Sequence, residues 1–290
     1  MFPFSRYKIV KNHLGYKQGR FPVSHWWMKD ESLSFLTEEV SEILKDTGNP
    51  SVKGVEILKL TRRKGIYRVF NPDDASQSYV IKIFFLRHLS HRLSFHRYGL
   101  DEAANFITAS SRGIKTPELL AYGQYYARSC LIKVGVVVTG DLRGYQTIGK
   151  LLEESDESEH GEMLGRTIPV FCSLYHSGCN HIDVNSGAIL LGEDKLNGDA
   201  YLLDFQHAQF YDSASMEILM FEAAYFARAC QNMISNEVVM LWRDDLLAAV
   251  DVTGAEDLEK CKDLFDYYLH CEGNKSTQNN LSRKQRKRIR

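Results

Sequence analysis

Apolar and polar positions along the first half of the chain predict mostly strands. Four stretches are apolar or alternate between apolar and polar residues, and they are rich in β-branched and aromatic side chains: VKGVEILKL, GIYRVFN, SYVIKIFFL and LIKVGVVVTGDL. This pattern is typical of strands. LDEAANFITAS, before the last of these stretches, instead keeps its apolar residues on one helical face. With the short apolar run in GIKTPELLAYG, the predicted order is strand, strand, strand, helix, strand, strand.

The second half is predicted to be mainly helical. TIGKLLEE and EMLGRTIPVFCSLYHSG each predict one helix, and the second ends at Ser177 and Gly178. Two short apolar segments follow, and from about Ser215 onward three further stretches have helical periodicity. A β-rich half joined to an α-rich half, with polar residues at the join, predicts an α+β fold of two lobes with an active site in the cleft.

This organisation predicts four segments. Residues 1–50 contain a polar part and the helical pattern LSFLTEEVSEILK, and we expect an N-terminal extension that packs on the β-rich lobe. Residues 51–140 form that lobe, and residues 141–275 form the helical lobe. Residues 276–290 end in RKQRKRIR, which predicts a disordered basic tail.

Composition and charge exclude several classes of protein. The formal net charge of the 290 residues is -1, so no overall charge favours a nucleic-acid partner. The sequence has no apolar run of membrane-spanning length and no pattern of a secretory signal at its start. Its six cysteines lack metal-binding spacing, which favours reduced thiols in a cytoplasmic protein. The basic tail is open to two interpretations, a frayed end or a segment that adheres to an anionic membrane.

Lys82 and Glu102 are a candidate charged pair. Lys82 lies within the apolar strand SYVIKIFFL, where its ammonium must either reach water or meet a carboxylate. Glu102 lies at the start of the helix that follows and is a candidate partner. An edge-strand lysine that faces solvent is the alternative.

Asp183 and Asp204 are candidates for metal and proton chemistry. Each carboxylate borders apolar sequence, in HIDVNSGAILL and YLLDFQ, where an unpaired charge would be costly to bury. Two such acids joined by a turn can lie together at the end of a hairpin and bind Mg²⁺ carried in by nucleotide phosphates, or one can accept a proton. His181, Asp183 and Asn185 alternate, which predicts three polar side chains on one side of an extended segment. A hydrogen-bonded pair of turn acids is the alternative.

These residues, in this order, resemble the protein-kinase-like fold. More closely, the chain is similar to the lipopolysaccharide kinase family, which comprises Kdo kinases and WaaP-type heptose kinases. The resemblance covers residues 55–212 and rests on five passages: YVIKIF, DEAANFITASSRGIKTPELLAYG, VVVTGDLRGYQTIGKLL, LYHSGCNHIDVNSGAILL and LLDFQHAQF. It implies a nucleotide-binding N-lobe and a C-lobe that holds the catalytic loop and the acceptor site.

The resemblance also implies roles for single residues. Lys82, held by Glu102, would contact the α- and β-phosphates of ATP, Asp183 would be the catalytic base, and Asp204 would hold Mg²⁺. The stretch TRRKG at 61–65 lies where the phosphate-covering loop is expected, but it is also compatible with an exposed basic hairpin turn. Further candidates complete the site: Gly65, Arg63 and Thr139 for the nucleotide, and Asn185 for the metal.

Ala188 departs from the family pattern, which has a polar metal ligand five residues after the catalytic Asp. Asn185 can replace that ligand, a single metal ion can suffice, or the protein can bind nucleotide with little or no catalysis.

The function that the resemblance implies is ATP- and Mg²⁺-dependent phosphorylation of a sugar hydroxyl, on Kdo or heptose. A pseudokinase or regulatory nucleotide-binding module, and a kinase for a protein or a soluble metabolite, are the alternatives.

The implied partners follow from that function. We expect the lipopolysaccharide core or a lipid A precursor as acceptor, and no nucleic acid. The arginine- and histidine-rich stretch RHLSHRLSFHR at 87–97 suits an anionic acceptor, or is the polar face of a helix leading to Glu102. The expected location is cytoplasmic, with peripheral contact to the inner membrane through the basic tail.

Overall fold

The computed structural model describes residues 4–13, 23–45, 54–127, 131–192 and 199–270. The basic tail predicted at 276–290 lies outside these residues. The chain divides into two compact units, Met1–Thr108 with Pro117–Leu142, and Ala109–Thr116 with Arg143–Arg290. Among the described residues, no helix combines the length and apolar character needed to cross a bilayer.

The first unit is built on an antiparallel sheet of seven strands in the order β1-β2-β6-β7-β5-β4-β3. Its strands are β1 Lys8–His13, β2 Val23–Met28, β3 Val55–Leu60, β4 Lys64–Phe70, β5 Ser78–Phe85, β6 Leu119–Tyr126 and β7 Ile132–Gly140. Its helices are α1 Phe35–Lys45, α2 Leu89–Leu93 and α3 Leu100–Ser111. All the predicted strands of this half are present, and the predicted helix that follows β5 is α3.

The core of this unit lies between α1 and one face of the sheet. Leu36, Val40 and Ile43 of α1 are fully buried at the i, i+4, i+7 spacing of a single helix face. They share a core cluster with Trp26 of β2 and Tyr67 of β4. Thus α1, predicted within the N-terminal extension, packs on the sheet, while β1 and β2, which the sequence did not reveal, are strands of the sheet itself.

The second unit has small sheets and a helical majority. Its strands form two sheets, β11-β10-β8 and β12-β9, with bounds β8 Tyr145–Thr147, β9 Cys179–Asn180, β10 Ile189–Gly192, β11 Ala200–Leu202 and β12 Gln209–Phe210. Its helices are α4 Ile148–Glu154, α5 His160–Gly165, α6 Ile168–His176, α7 Met216–Cys230, α8 Asn236–Ala249 and α9 Ala255–His270. The helical character expected after Ser215 is confirmed by α7, α8 and α9.

The single helix predicted over EMLGRTIPVFCSLYHSG is wrong, because the structure divides it into α5 and α6. Pro169 is near the start of α6, where its missing N–H has no consequence for the helix. A proline in the middle of a helix would lose a backbone hydrogen bond and clash with the preceding turn, so α5 ends at Gly165, upstream of Pro169. The rings of Phe171 in α6, Phe226 in α7 and Trp242 in α8 then pack together, with centroids 5.2–5.5 Å apart.

The hairpin between β10 and β11 brings the two candidate acidic loops to one end of a sheet. Ile189 pairs with Leu202 in antiparallel register. Asp183 precedes β10 and Asp204 follows β11, so both acids belong to the segments at the same end of this hairpin. This is the arrangement that the sequence predicted for two short strands joined by a turn.

Candidate functional site

Lys82 and Glu102 form a buried ion pair in the first unit. Lys82 lies in β5 between Ile66 of β4 and Val137 of β7. Its Nζ is 2.7 Å from Oε1 of Glu102, and the two side chains are 11% and 1% exposed. Glu102 lies in the first turn of α3, where the helix dipole favours a carboxylate. The solvent-facing alternative for Lys82 is therefore wrong, and removal of either partner would leave a buried charge, at a cost of about 3–5 kcal/mol.

The segment predicted as a phosphate-covering loop is an exposed hairpin turn between β3 and β4. Oγ1 of Thr61 accepts a hydrogen bond from the Lys64 N–H at 3.0 Å, and Arg63 is exposed. Gly65 lies in β4, where a Cβ would come within 2.5 Å of the Tyr67 ring, so packing alone accounts for glycine here. Thr139 is buried in β7 opposite Val80. The nucleotide-binding roles of Arg63, Gly65 and Thr139 stay predictions.

In the second unit, an arginine fixes the strand pair that leads into the candidate catalytic loop. Nη1 of Arg112 donates hydrogen bonds to the carbonyl oxygens of Ser177 and Tyr211, at 2.7 and 2.6 Å. Gly178, directly before β9, has a φ of 64°, and a Cβ there would lie 2.5 Å from the Tyr211 carbonyl oxygen. Only glycine fits this close backbone approach. The pair β9–β12 therefore holds residues 179–180 firmly, directly before His181.

His181 connects the two acidic loops. Its side chain is fully buried, its Nε2 is 2.8 Å from the Leu203 carbonyl oxygen, and its ring packs edge-on against Phe205 at 5.0 Å. Leu203 and Phe205 flank Asp204, so His181 holds that segment from both sides. Burial lowers the pKa of His181, although the bond to Leu203 and the charges of Asp204 and Asp183 oppose the shift. The ring is therefore neutral near pH 7 and donates through Nε2.

The extended segment predicted for His181, Asp183 and Asn185 is wrong. Ile182 has a φ of 73°, a left-handed conformation that is a marked outlier for a β-branched residue. His181 consequently points into the core, while Asp183 and Asn185 remain partly exposed. The strain turns the chain between the buried histidine and the aspartate that follows it.

Glu222 of α7 holds this strained backbone in place. Its Oε1 accepts hydrogen bonds from the backbone N–H groups of His181 and of Ile182, the latter at 3.1 Å. Burial raises the pKa of Glu222 to about 8, although both backbone hydrogen bonds act to lower it. The carboxyl group is thus largely protonated at neutral pH, yet Oε1 still accepts both bonds.

Asp183 is oriented by two hydrogen-bond donors. The Tyr225 hydroxyl donates to Oδ1 of Asp183 at 3.1 Å. Nδ2 of Asn185 lies 3.4 Å from the same oxygen and 3.1 Å from the Asp183 carbonyl oxygen. Both donors therefore act on Oδ1. A carboxylate oxygen held in this way is a suitable acceptor for a hydroxyl proton.

The oxygen atoms predicted to bind a metal ion are compatible with Mg²⁺, although one of them already accepts a hydrogen bond. Asp204 is partly exposed and takes a left-handed conformation, φ 61° and ψ 53°, which aspartate tolerates. Oδ1 of Asn185 accepts the Gly187 N–H at 2.9 Å, so one of its two lone pairs already has a partner. Hard carboxylate and amide oxygens suit Mg²⁺. Within the described ranges, no group of three or more His, Cys, Asp or Glu side chains is placed to bind a metal by itself.

Ala188 is part of the packing around this site. Its side chain is 3% exposed, its N–H donates to the Asn185 carbonyl at 2.9 Å, and its carbonyl accepts the Leu203 N–H at 2.8 Å. The backbone at position 188 thus joins the Asp183 loop to the Asp204 segment. The methyl group adds no metal ligand where the family pattern has one.

Sequence reasoning missed Glu222 and Tyr225, which hydrogen-bond to the Asp183 loop from α7. One signal was present for Glu222, which is an acid on the buried side of the apolar stretch MEILMFEAAYFARAC. A carboxyl group in such a position needs hydrogen-bond partners. Nothing in the sequence distinguished Tyr225 from the other aromatic residues of this helix.

We predict that Glu222→Gln changes stability little at pH 7, because glutamine keeps a hydrogen-bond acceptor. Glu222→Ala should lower the free energy of unfolding by about 2–4 kcal/mol, because only alanine removes the acceptor and leaves a cavity.

The same carboxyl group makes stability depend on pH. Between pH 4.5 and about 8 the folded protein binds the Glu222 proton and the unfolded chain does not, so the free energy of unfolding falls as pH rises. Urea unfolding across that range tests both statements. A wild-type profile parallel to that of Glu222→Gln would contradict them.

Comparisons with known proteins show the fold of this chain but not its family. No protein-family model and no curated protein sequence matches the chain. Solved structures do match, among them the structure of WaaP in complex with acyl carrier protein. That match has a TM-score of 0.55 and 14% sequence identity, and it covers 73% of this chain and 85% of that one. The chain therefore has the mixed α/β, two-lobed kinase-like fold that the sequence predicted.

Proposed function

We propose that this protein is an ATP- and Mg²⁺-dependent phosphotransferase that acts on a sugar hydroxyl, on Kdo or heptose of the lipopolysaccharide inner core. The observation that carries the proposal is the connection of the Asp183 loop to the Asp204 segment through buried His181. Phosphoryl transfer needs a residue that orients the attacking hydroxyl and a residue that holds the metal, both fixed in place. A pair of unrelated turn acids would not need a shared buried anchor.

In this proposal Asp183 is the base. The donors on Oδ1, Tyr225 and Asn185, fix the orientation of the carboxylate. A sugar hydroxyl that donates to Asp183 is oriented for attack on the γ-phosphorus. It releases its proton to the carboxylate as the new P–O bond forms, while the bond from the γ-phosphorus to the β–γ bridging oxygen breaks and ADP leaves.

The remaining predicted residues bind the nucleotide and the metal. Asp204 would hold Mg²⁺ with Asn185, and the ion would neutralise charge on the β- and γ-phosphates. Lys82, fixed by Glu102, would contact the α- and β-phosphates through its ammonium group. Arg63, Gly65 and Thr139 are retained as the further nucleotide-binding residues.

The choice of acceptor rests on resemblance. WaaP is one of the structural neighbours, and the sequence passages that resemble the lipopolysaccharide kinase family, with its WaaP-type heptose kinases, include the Asp183 and Asp204 loops. We therefore propose the lipopolysaccharide core or a lipid A precursor as partner, at the cytoplasmic face of the inner membrane. A protein or a soluble metabolite as acceptor would use the same four charged residues.

A regulatory nucleotide-binding module is the second candidate, and Ala188 favours it. The alanine is buried and supplies no ligand where the family pattern has one. Four charged residues support the enzyme instead: Lys82, Glu102, Asp183 and Asp204 are all present, Lys82 is paired with Glu102, and Asp183 accepts a hydrogen bond from Tyr225.

We predict that the purified protein, with Mg²⁺ and ATP labelled at the γ-phosphate, labels Kdo-lipid A or heptosylated core. Asp183→Asn should reduce that labelling by about 100-fold or more, because the base is lost while the side-chain shape is kept. Asp212→Asn, on an exposed aspartate of the same unit, is the matched control and should leave the rate unchanged.

If no acceptor is labelled and Asp183→Asn leaves ATP turnover unchanged, the enzyme proposal is wrong. A melting temperature that nucleotide still raises would then favour the binding module. Labelling of a generic protein substrate alone, lost in Asp183→Asn, would retain the kinase and change the acceptor.

We predict that Tyr225→Phe lowers kcat about 5- to 50-fold and leaves the KM for ATP nearly unchanged, since Tyr225 orients Asp183, which acts on the acceptor hydroxyl and not on ATP. Steady-state rates at saturating and at limiting ATP separate the two parameters, because loss of a donor that only orients the base lowers kcat and not the affinity for nucleotide. Tyr267→Phe, on an exposed tyrosine of α9, is the control. A rise in the KM for ATP together with a lower melting temperature would instead show a purely structural effect.

A further inference from the structure

We propose that residues 87–97 form a surface that docks on an anionic lipid membrane. This lipid-docking surface goes beyond the phosphotransfer reaction and does not depend on it. It also differs from the membrane contact expected of the basic tail, because it lies within the folded first unit, between β5 and α3.

The apolar part of the surface consists of two leucines on α2. Leu89 is 59% exposed and Leu93 is 67% exposed. They are four residues apart in one helix and therefore lie side by side on the same face. Single exposed leucines are common on protein surfaces, but a neighbouring pair surrounded by cations is a more specific arrangement.

Hydrogen bonds fix this short helix to the end of β5. Nε of Arg92 donates to the Leu86 carbonyl at 3.0 Å, and its Nη2 donates to the Arg87 carbonyl at 3.2 Å. On the inner side, the ring of His91 packs against Tyr98 with centroids 5.1 Å apart. Because α2 is anchored in this way, Leu89 and Leu93 are held outward. Residues 87–97 are therefore not the polar face of the helix that carries Glu102, because that helix, α3, begins only at Leu100.

The charges within the segment that carries the leucines are all of one sign. Residues 87–97 contain three arginines and three histidines, and the sequence has no Asp or Glu from position 75 to position 100. Two further cations lie at this end of the sheet: the Phe85 N–H donates to the Arg63 carbonyl at 2.8 Å, and the Leu86 N–H donates to the Lys133 carbonyl at 2.9 Å. This basic rim complements the negative potential of an anionic leaflet.

A lipid surface fits these observations better than a protein partner does. A stable protein interface buries about 800 Å² on each partner and usually centres on aromatic or arginine anchors in a pocket. Two outward leucines on a helix of five residues offer too small an apolar area for that. The two leucines can instead insert into the apolar interior of a membrane while the neighbouring cations bind lipid headgroups. Interfacial segments attach to membranes in this way.

The test is co-sedimentation of the full-length protein with vesicles of phosphatidylglycerol mixed with phosphatidylcholine, and with vesicles of phosphatidylcholine alone, without ATP or acceptor. We expect binding to the anionic vesicles that weakens with added salt. The double variant Leu89→Ser, Leu93→Ser should reduce the partition coefficient ~10-fold, because both apolar side chains are removed. Arg87→Ala should reduce it ~5-fold.

Leu241→Ser is the matched control, because Leu241 is 61% exposed on α8 in the second unit, and its binding should equal that of the wild type. The proposal is overturned if the wild type does not prefer anionic vesicles, if the double variant binds as well as the wild type, or if Leu241→Ser has the same effect. Since no nucleotide is present, this outcome is independent of whether the phosphotransfer proposal succeeds.

Discussion

The buried imidazole of His181 joins the two loops on which the proposed chemistry depends. It binds the Leu203 carbonyl, packs on Phe205, and belongs to a backbone that Glu222 holds through two N–H groups. Ile182 takes a left-handed conformation only because these contacts fix it, since such strain persists where the surroundings determine it. The positions of Asp183 and Asp204 therefore follow from a neutral, fully buried core residue.

In the first unit a buried charged pair, rather than a neutral side chain, joins two elements. Lys82 and Glu102 are both nearly inaccessible and meet at 2.7 Å, so each offsets the desolvation of the other. A hydrophobic pair of similar volume would be at least as stable. The retention of a buried charged pair between β5 and α3 is therefore better accounted for by anion binding than by folding stability, which agrees with the proposed contact to nucleotide phosphates.

Much of this was predictable from the sequence, and the exceptions have physical reasons. Strands β3 to β7 and helix α3 follow from alternation and helical spacing, and the Lys82–Glu102 pair follows from the cost of a lone buried ammonium. The backbone turn at Ile182 was unpredictable, because a β-branched residue gives no signal for a positive φ. Tyr225 was equally hidden, because its contact with Asp183 spans 42 positions along the chain and depends on packing of α7.

The most direct test of the central claim measures metal-dependent nucleotide binding, with Mn²⁺ as a paramagnetic probe in place of Mg²⁺. Electron paramagnetic resonance should show Mn²⁺ bound to the wild-type protein in the presence of ATP. Asp204→Asn should bind ATP without the added affinity that the metal provides, since the amide is a weaker ligand for a hard cation. Nucleotide binding that is unaffected by Mn²⁺ in the wild type, or equal metal binding in Asp204→Asn, would contradict the account.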